Sequence, residues 1–195
     1  MKILKFGGTS MGSAGRMREV AGLVSGNSGK KIVVLSAMAG TTNQLVKITE
    51  HLYAKENDRA SQIIDNLEIT YSQVVNELFS TKEYSEKGKE LITSHFTYIR
   101  SFTQDIFTRY EERAVLAQGE LISTALFQFY LEEKGIRSVL LPALNFMRID
   151  TNQEPDNFYI KENLERELSK YPGDNLFITQ GYICRNLFGY LKIFR

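Results

Sequence analysis

The stretch Lys2-Ile3-Leu4-Lys5-Phe6-Gly7-Gly8-Thr9-Ser10 opens the chain and decides how the rest is read. Lys2 to Phe6 has the pattern of a short buried strand, and Gly7-Gly8 breaks it into a tight loop. Met17, Val20, Ala21 and Val24 then fall at helical spacing, and Gly26-Asn27-Ser28-Gly29 ends that helix. A second run, Lys31-Ile32-Val33-Val34-Leu35-Ser36, is rich in β-branched residues and stops at Ala37-Met38-Ala39-Gly40. Two strands joined by one helix make a β-α-β unit, which the crossover rule makes parallel and right-handed.

From about Thr42 to Lys134 the spacing predicts helix almost throughout. Ile63, Leu67, Tyr71, Val74 and Leu78 trace one apolar stripe, and Ile92, Phe96, Ile99, Phe102 and Ile106 trace another. Helical spacing is what packing requires, so both stripes read as core rather than cofactor contacts. Gly88, with the charge cluster from Lys82 to Lys89, predicts a turn between helices with the cluster in solvent. Ile136 to Leu141 reads as a strand halted by Pro142, Glu162 to Leu168 as a short amphipathic helix, and Tyr171-Pro172-Gly173-Asp174 as a turn. Asn175 to Thr179 reads as a further buried strand. The order is β-α-β, a helical block, β, α, β, with no internal repeat or linker, which is an α/β layered fold.

Composition narrows the function classes. The 195 residues carry 24 Lys+Arg against 23 Asp+Glu, a formal net charge of +1, so no domain-wide positive field is present to hold a nucleic-acid backbone. With 43% hydrophobic and 24% charged residues the chain has the make-up of an ordinary globular domain. Cys184 is the single cysteine and His51 and His95 the only histidines, which rules out a disulfide framework and a multi-cysteine or His-based metal cage. No stretch approaches the roughly 18 apolar residues of a membrane span, and the start lacks a signal-peptide core, so the cytoplasm is the expected compartment.

Ligands of open parallel sheets gather beyond the carboxyl ends of the strands. In the first such loop, Gly7 and Gly8 lack a Cβ, so their N–H groups can approach an anion, with Lys5 as a point charge beside them. The alternative is a plain tight turn. Neither G-x-G-x-x-G nor a Walker pattern is present, since no Ser or Thr follows Gly29-Lys30-Lys31. The second loop, Ser36-Ala37-Met38-Ala39-Gly40-Thr41-Thr42-Asn43, is either a cradle for a small polar substrate or a small-residue turn with Thr41 or Thr42 as helix N-cap. Glu120, in Gln118-Gly119-Glu120, lies beside an apolar helix face, where a carboxylate needs a partner: a substrate ammonium group or an internal ion pair. Arg148 and Asp150 read as substrate contacts or as a loop ion pair. His51, His95 and Cys184 read as structural.

Taken together, Lys5-Phe6-Gly7-Gly8-Thr9-Ser10, the Ser36 to Asn43 loop, Gln118-Gly119-Glu120 and Ile178-Thr179-Gln180-Gly181-Tyr182 resemble the aspartokinases of the amino-acid kinase superfamily, in order and spacing from Met1 to about Tyr182. The resemblance implies a three-layer αβα sandwich with a mainly parallel sheet, the carbamate kinase-like fold. It implies ATP- and magnesium-dependent phosphorylation of the side-chain carboxylate of L-aspartate, the entry step to lysine, threonine and methionine synthesis, in an enzyme that forms a homo-oligomer. Lys5 then matches the lysine that neutralises the transferring phosphoryl group, with Gly7, Gly8, Thr9 and Ser10 the loop closing on the phosphates. Ser36, Ala37 and Thr42 match aspartate-side contacts, Glu120 the carboxylate receiving the aspartate ammonium, and Tyr182 an aromatic position beside the substrate.

The family continues after Thr-Gln-Gly to an Arg-Gly-Gly-Ser-Asp stretch, adenine-holding strands and regulatory domains, whereas this chain reads Asn186-Leu187-Phe188-Gly189-Tyr190-Leu191-Lys192-Ile193-Phe194-Arg195. The expectation is therefore the amino-terminal part of the catalytic domain over residues 1–184, a divergent and non-native tail over 185–195, weak stand-alone catalysis and an unpaired sheet edge. Two rival readings remain: a kinase acting on glutamate or N-acetylglutamate, and a non-catalytic binding or assembly module.

Overall fold

In the computed structural model, β1 (Lys2–Phe6) and β2 (Lys31–Leu35) pair in parallel, with Lys2 opposite Lys31 and Phe6 opposite Leu35. Residues 1–26, 29–104 and 106–193 are described. The connecting helix α1 (Ala14–Ser25) buries Met17, Val20, Ala21 and Val24 as its spacing predicts, and Gly26 is its C-cap; Asn27 and Ser28 of the expected stop lie outside the described residues. After β2 come α2 (Thr41–Tyr53), α3 (Asn57–Leu78), α4 (Lys82–Ser101) and α5 (Arg109–Glu133), and then β3 (Val139–Leu140), α6 (Asn157–Ser169) and β4 (Leu176–Gln180). The chain closes with the hairpin β5 (Ile183–Arg185) and β6 (Leu191–Ile193).

The four-stranded sheet runs β1-β2-β4-β3, every pair parallel. Strand alternation sends its side chains into two different cores. Val33, Leu35, Leu176 and Ile178 join the large cluster built by α1 to α5, whereas Ile32 and Phe177 face the other way, against Ile160, Leu164 and Leu168 of α6. A sheet with helices on both faces is the expected αβα sandwich. Its second strand is buried on both faces, which is why Ile32 to Leu35 reads as an unbroken apolar run. At the sheet's edge β1 has no second neighbour among the described residues, and its Ile3 is 66% exposed.

Several expectations change in detail. Gly88 is not in a turn: it lies inside α4, where a Cβ would stand 2.8 Å from the Phe79 ring and 2.9 Å from Val75. The glycine marks a close helix crossing, and the turn falls earlier, at residues 79–81, before the Thr81 cap of α4. Ile64 rather than Ile63 occupies the core of α3, and Ile106 lies beyond the end of α4, 86% exposed. The strand expected from Ile136 shrinks to Val139–Leu140, while α6 starts five residues before Glu162, at Asn157, with Asp156 as N-cap. Residues 185–193 of the expected tail are folded: β5 and β6 are antiparallel, and Leu191 and Ile193 pack toward Ala117 and Leu121 of α5. Phe194 and Arg195 lie outside the described residues.

Candidate active site

Phe6, Leu35 and Gln180 are level with one another across three parallel strands, so the loops that follow them open along one edge of the sheet. The register thus brings Lys5, Gly7 and Gly8, Ser36, Ala37 and Thr42, and Tyr182 to the same end of the molecule. The Ser36 N–H donates to the Phe6 carbonyl at 3.1 Å, tying the first two loops together. Gly8 allows that contact, because a Cβ there would lie 3.2 Å from the Ala37 carbonyl oxygen; Gly12 meets Ala39 in the same way, at 3.1 Å. Gly7 has open space where its Cβ would be. Lys5, Gly7 and Thr9 are exposed, Gly8, Ser10, Ser36, Thr42 and Tyr182 half-buried, and Ala37 buried.

α5 passes under these loops, and Gly119 sets how close it comes. A Cβ at Gly119 would stand 2.9 Å from the Ala37 Cβ and 3.0 Å from the Thr41 methyl. The next residue, Glu120, is therefore carried into the floor of the site, only 3% exposed. Its Oε2 accepts the Tyr182 N–H at 2.7 Å. Burial pushes its carboxyl up to about 7, against the pull of the Tyr182 and Gly181 N–H groups and the charge of Lys5. No described residue forms an ion pair with it. A buried carboxylate held by N–H groups and lacking an ion-pair partner has the chemistry to accept a cation from outside.

The family model described as the amino acid kinase family matches residues 1–193. The chain belongs to that family. It is 29% identical over 184 residues to the lysine-sensitive aspartokinase 3 of Escherichia coli, covering 93% of this chain and 40% of that one. The chain thus spans less than half the length of this relative. Two crystal structures of E. coli aspartokinase III, one with lysine and aspartate and one with aspartate and ADP, superpose with TM-scores of 0.83 and 0.80. Each is 26% identical to this chain, covering 99% or all of it and 43% of the solved chain.

Within this family member, a network that the sequence reading left without a role holds the floor in place. Ser123 donates to the Ser36 carbonyl at 2.9 Å, and Thr124 donates to the Glu120 carbonyl at 2.7 Å. Gln180 donates to the Thr124 hydroxyl at 2.8 Å and accepts the Ala143 N–H at 2.8 Å. Strand β4 is thereby pinned to α5 and to the turn after β3. The signal for it was present: three polar residues, Ser123, Thr124 and Gln180, stand among apolar residues of α5 and β4, and all three are buried.

Other candidates are placed elsewhere or otherwise. Neither Thr41 nor Thr42 caps α2: Gly40, at φ 81°, is the N-cap, and the Thr41 hydroxyl is 3.0 Å from the Tyr71 hydroxyl. The first glycine loop does not run straight into α1; a single 3-10 turn, Gly8–Met11, intervenes, and Ser13 caps α1. Arg148 pairs with Asp156 at 2.6 Å rather than with Asp150, which instead accepts the N–H groups of Asn152 and Glu154. His51 bonds Glu56 and His95 bonds Gln118, while Cys184 is buried. Each of these is used within the fold.

Lys5 and the open backbone at Gly7 suit phosphoryl oxygens. Among the described residues no three His, Cys, Asp or Glu side chains converge. No helix of the described residues is long and apolar enough to cross a membrane.

Proposed function

We propose that this chain carries the phosphate loop and the aspartate-side pocket of an aspartate kinase, which uses ATP to phosphorylate the side-chain carboxylate of L-aspartate. The observation that carries this reading is Glu120: only 3% exposed, bonded to the Tyr182 N–H, and in no ion pair with a described residue. An amino-acid ammonium supplies the cation. Its arrival returns the Glu120 carboxyl to the ionised form that burial opposes.

The attacking carboxylate of aspartate, with an ordinary pKa near 3.9, is already ionised at neutral pH. The reaction therefore needs no general base, and the work left for the chain is positioning and charge neutralisation. In this reading Ser36, Ala37 and Thr42 serve the aspartate side, and Lys5, whose charge is felt at Glu120 and which precedes the Gly7-Gly8 turn, neutralises charge on the transferring phosphoryl group. Bound ATP supplies that group, and its oxygens are held by Lys5 and the backbone of Gly7 and Gly8.

Calorimetric titration of the chain with L-aspartate tests the reading. Saturable heat is expected, lost in Glu120→Ala and not reproduced by L-glutamate or N-acetylglutamate. An unchanged isotherm in Glu120→Ala would sink it. A coupled ADP-release assay then reports whether the 195-residue chain turns over.

A further inference from the structure

A second concave region lies away from the site just described and shares none of its residues. It is a cleft of about 460 Å³ between the first turns of α5, the 149–153 loop and the tip of the β5–β6 hairpin, lined among others by Arg109, Arg113, Gln153 and Lys192. The same four residues border an adjoining cleft of about 330 Å³, so the two form one groove. Tyr110 of α5 and Tyr190 of the hairpin meet edge-to-face at 5.4 Å and tie the two walls together.

The charge in this groove is unbalanced. Arg109 and Arg113 are four residues apart on one helix face, where like charges repel. Arg109 is also the first residue of α5, at the positive end of the helix dipole, the end that disfavours a cation. Lys192 adds a third positive charge from the opposite wall. Two acids share the groove, Asp150 in the main cleft and Glu112 in the adjoining one, so the cations exceed the acids by three to two. Glu111 closes the capping box of α5 on Thr108, Glu112 accepts the Tyr53 hydroxyl at 2.9 Å, and Asp150 accepts the backbone N–H groups of Asn152 and Glu154. No described residue forms an ion pair with Arg109, Arg113 or Lys192. Gln153 sits at φ 64°, a left-handed conformation that costs energy for a residue other than glycine, and it lies in this same groove.

Three cations on two walls, a strained polar residue between them and room for a small molecule describe an anion receptor. We propose that the groove between α5 and the β5–β6 hairpin binds a small polyanion, phosphate- or carboxylate-bearing, through Arg109, Arg113 and Lys192. The site is separate from the Lys5 loop. Binding there removes the repulsion among the three cations.

The test is calorimetry of the whole chain with pyrophosphate and, separately, citrate. Saturable binding is expected that weakens as NaCl is raised, as for any charge-driven contact. Measured in a Lys5→Ala background, so that the Gly7-Gly8 loop does not contribute, binding should persist, weaken by about tenfold or more when Arg113→Ala is added, and be absent when Arg109→Ala/Arg113→Ala is added. Lys192→Gln, on the other wall, should weaken it as well, while unaltered circular dichroism shows that these surface changes leave the fold intact. Tighter pyrophosphate identifies a phosphate ligand, and tighter citrate a carboxylate one. No saturable heat with either probe overturns the proposal. So does binding that disappears in Lys5→Ala but survives the double arginine change, which would place the anion at the Gly7-Gly8 loop instead.

Discussion

The Tyr182 N–H donates to Oε2 of Glu120 at 2.7 Å, joining two motifs 62 residues apart in the chain. With burial holding the Glu120 carboxyl at about 7, well above its ordinary 4.5, protonation competes with any incoming ammonium group. Aspartate affinity is expected to be highest near pH 8 and to fall below pH 7, by about tenfold per pH unit once the carboxyl is mostly protonated. The stability of the free chain moves in the same sense as protonation. An acid whose pKa is raised on folding contributes stability below its ordinary value and loses that contribution as pH rises through about 7. Glu120→Gln should therefore abolish aspartate binding and flatten the melting-temperature profile between pH 4.5 and 7. A variant with the wild-type slope would show that another group controls it.

Gly119→Ala separates helix propensity from packing. Alanine in the interior of a helix is favoured over glycine by about 1 kcal/mol. Here its methyl would stand 2.9 Å from the Ala37 Cβ and 3.0 Å from the Thr41 methyl, both rigidly tied to backbone, so α5 must back away from the loop. We expect a net loss of about 1–3 kcal/mol in urea denaturation and a larger proportional loss of aspartate binding. A stabilised variant with intact binding would show that the loop yields.

How much of this was legible in the sequence depended on which forces act locally. The β-α-β start was legible because Met17, Val20, Ala21 and Val24 show helical spacing between two apolar runs, and each is buried as the spacing requires. The strand ends were legible for the same reason, and with them the meeting of Lys5, Ser36 and Tyr182 at one edge. Gly88 was misread because glycine signals both a turn and a close crossing, and only the Phe79 ring against it tells the two apart. The Ser123, Thr124 and Gln180 network was missed because its partners are up to 87 residues apart and obey no local period. The basic groove was missed because Arg109, Arg113 and Lys192 are ordinary surface residues until the hairpin folds back on α5.

Tyr71 holds the start of α2 from beneath. Its ring is fully buried beside Phe96, with centroids 5.7 Å apart, and its hydroxyl is 3.0 Å from that of Thr41, one residue before Thr42. Tyr71→Phe keeps the ring and strands the Thr41 hydroxyl without its partner, an expected cost of about 1–3 kcal/mol. Adding Thr41→Val should recover part of it, because both polar groups are then gone. A double-mutant cycle from chemical denaturation reads this directly: additive losses would mean that the two hydroxyls are not coupled. Faster amide exchange across residues 40–44 in Tyr71→Phe alone would show that the bond steadies the aspartate-side loop.

Glu133, at the last position of α5, caps the start of α4. Its Oε1 accepts the Ser80 and Thr81 N–H groups at 2.8 and 2.7 Å and the Thr81 hydroxyl at 2.9 Å. Burial alone would raise its pKa, but the Thr81 N–H, the Lys134 ammonium, the Thr81 hydroxyl and the Ser80 N–H together hold it at about 2. A carboxyl depressed on folding contributes stability above its ordinary value of 4.5 and loses it as pH falls toward 2. Glu133→Gln keeps the shape and removes the charge. At pH 7 it should cost about 1–2 kcal/mol, the value of a helix N-cap. The gap between the two proteins should narrow steadily as the denaturation is repeated from pH 5 down to pH 2, where wild-type Glu133 is itself becoming neutral. A gap that stays constant over that range would show that the geometry of the cap, rather than its charge, holds α4 against α5.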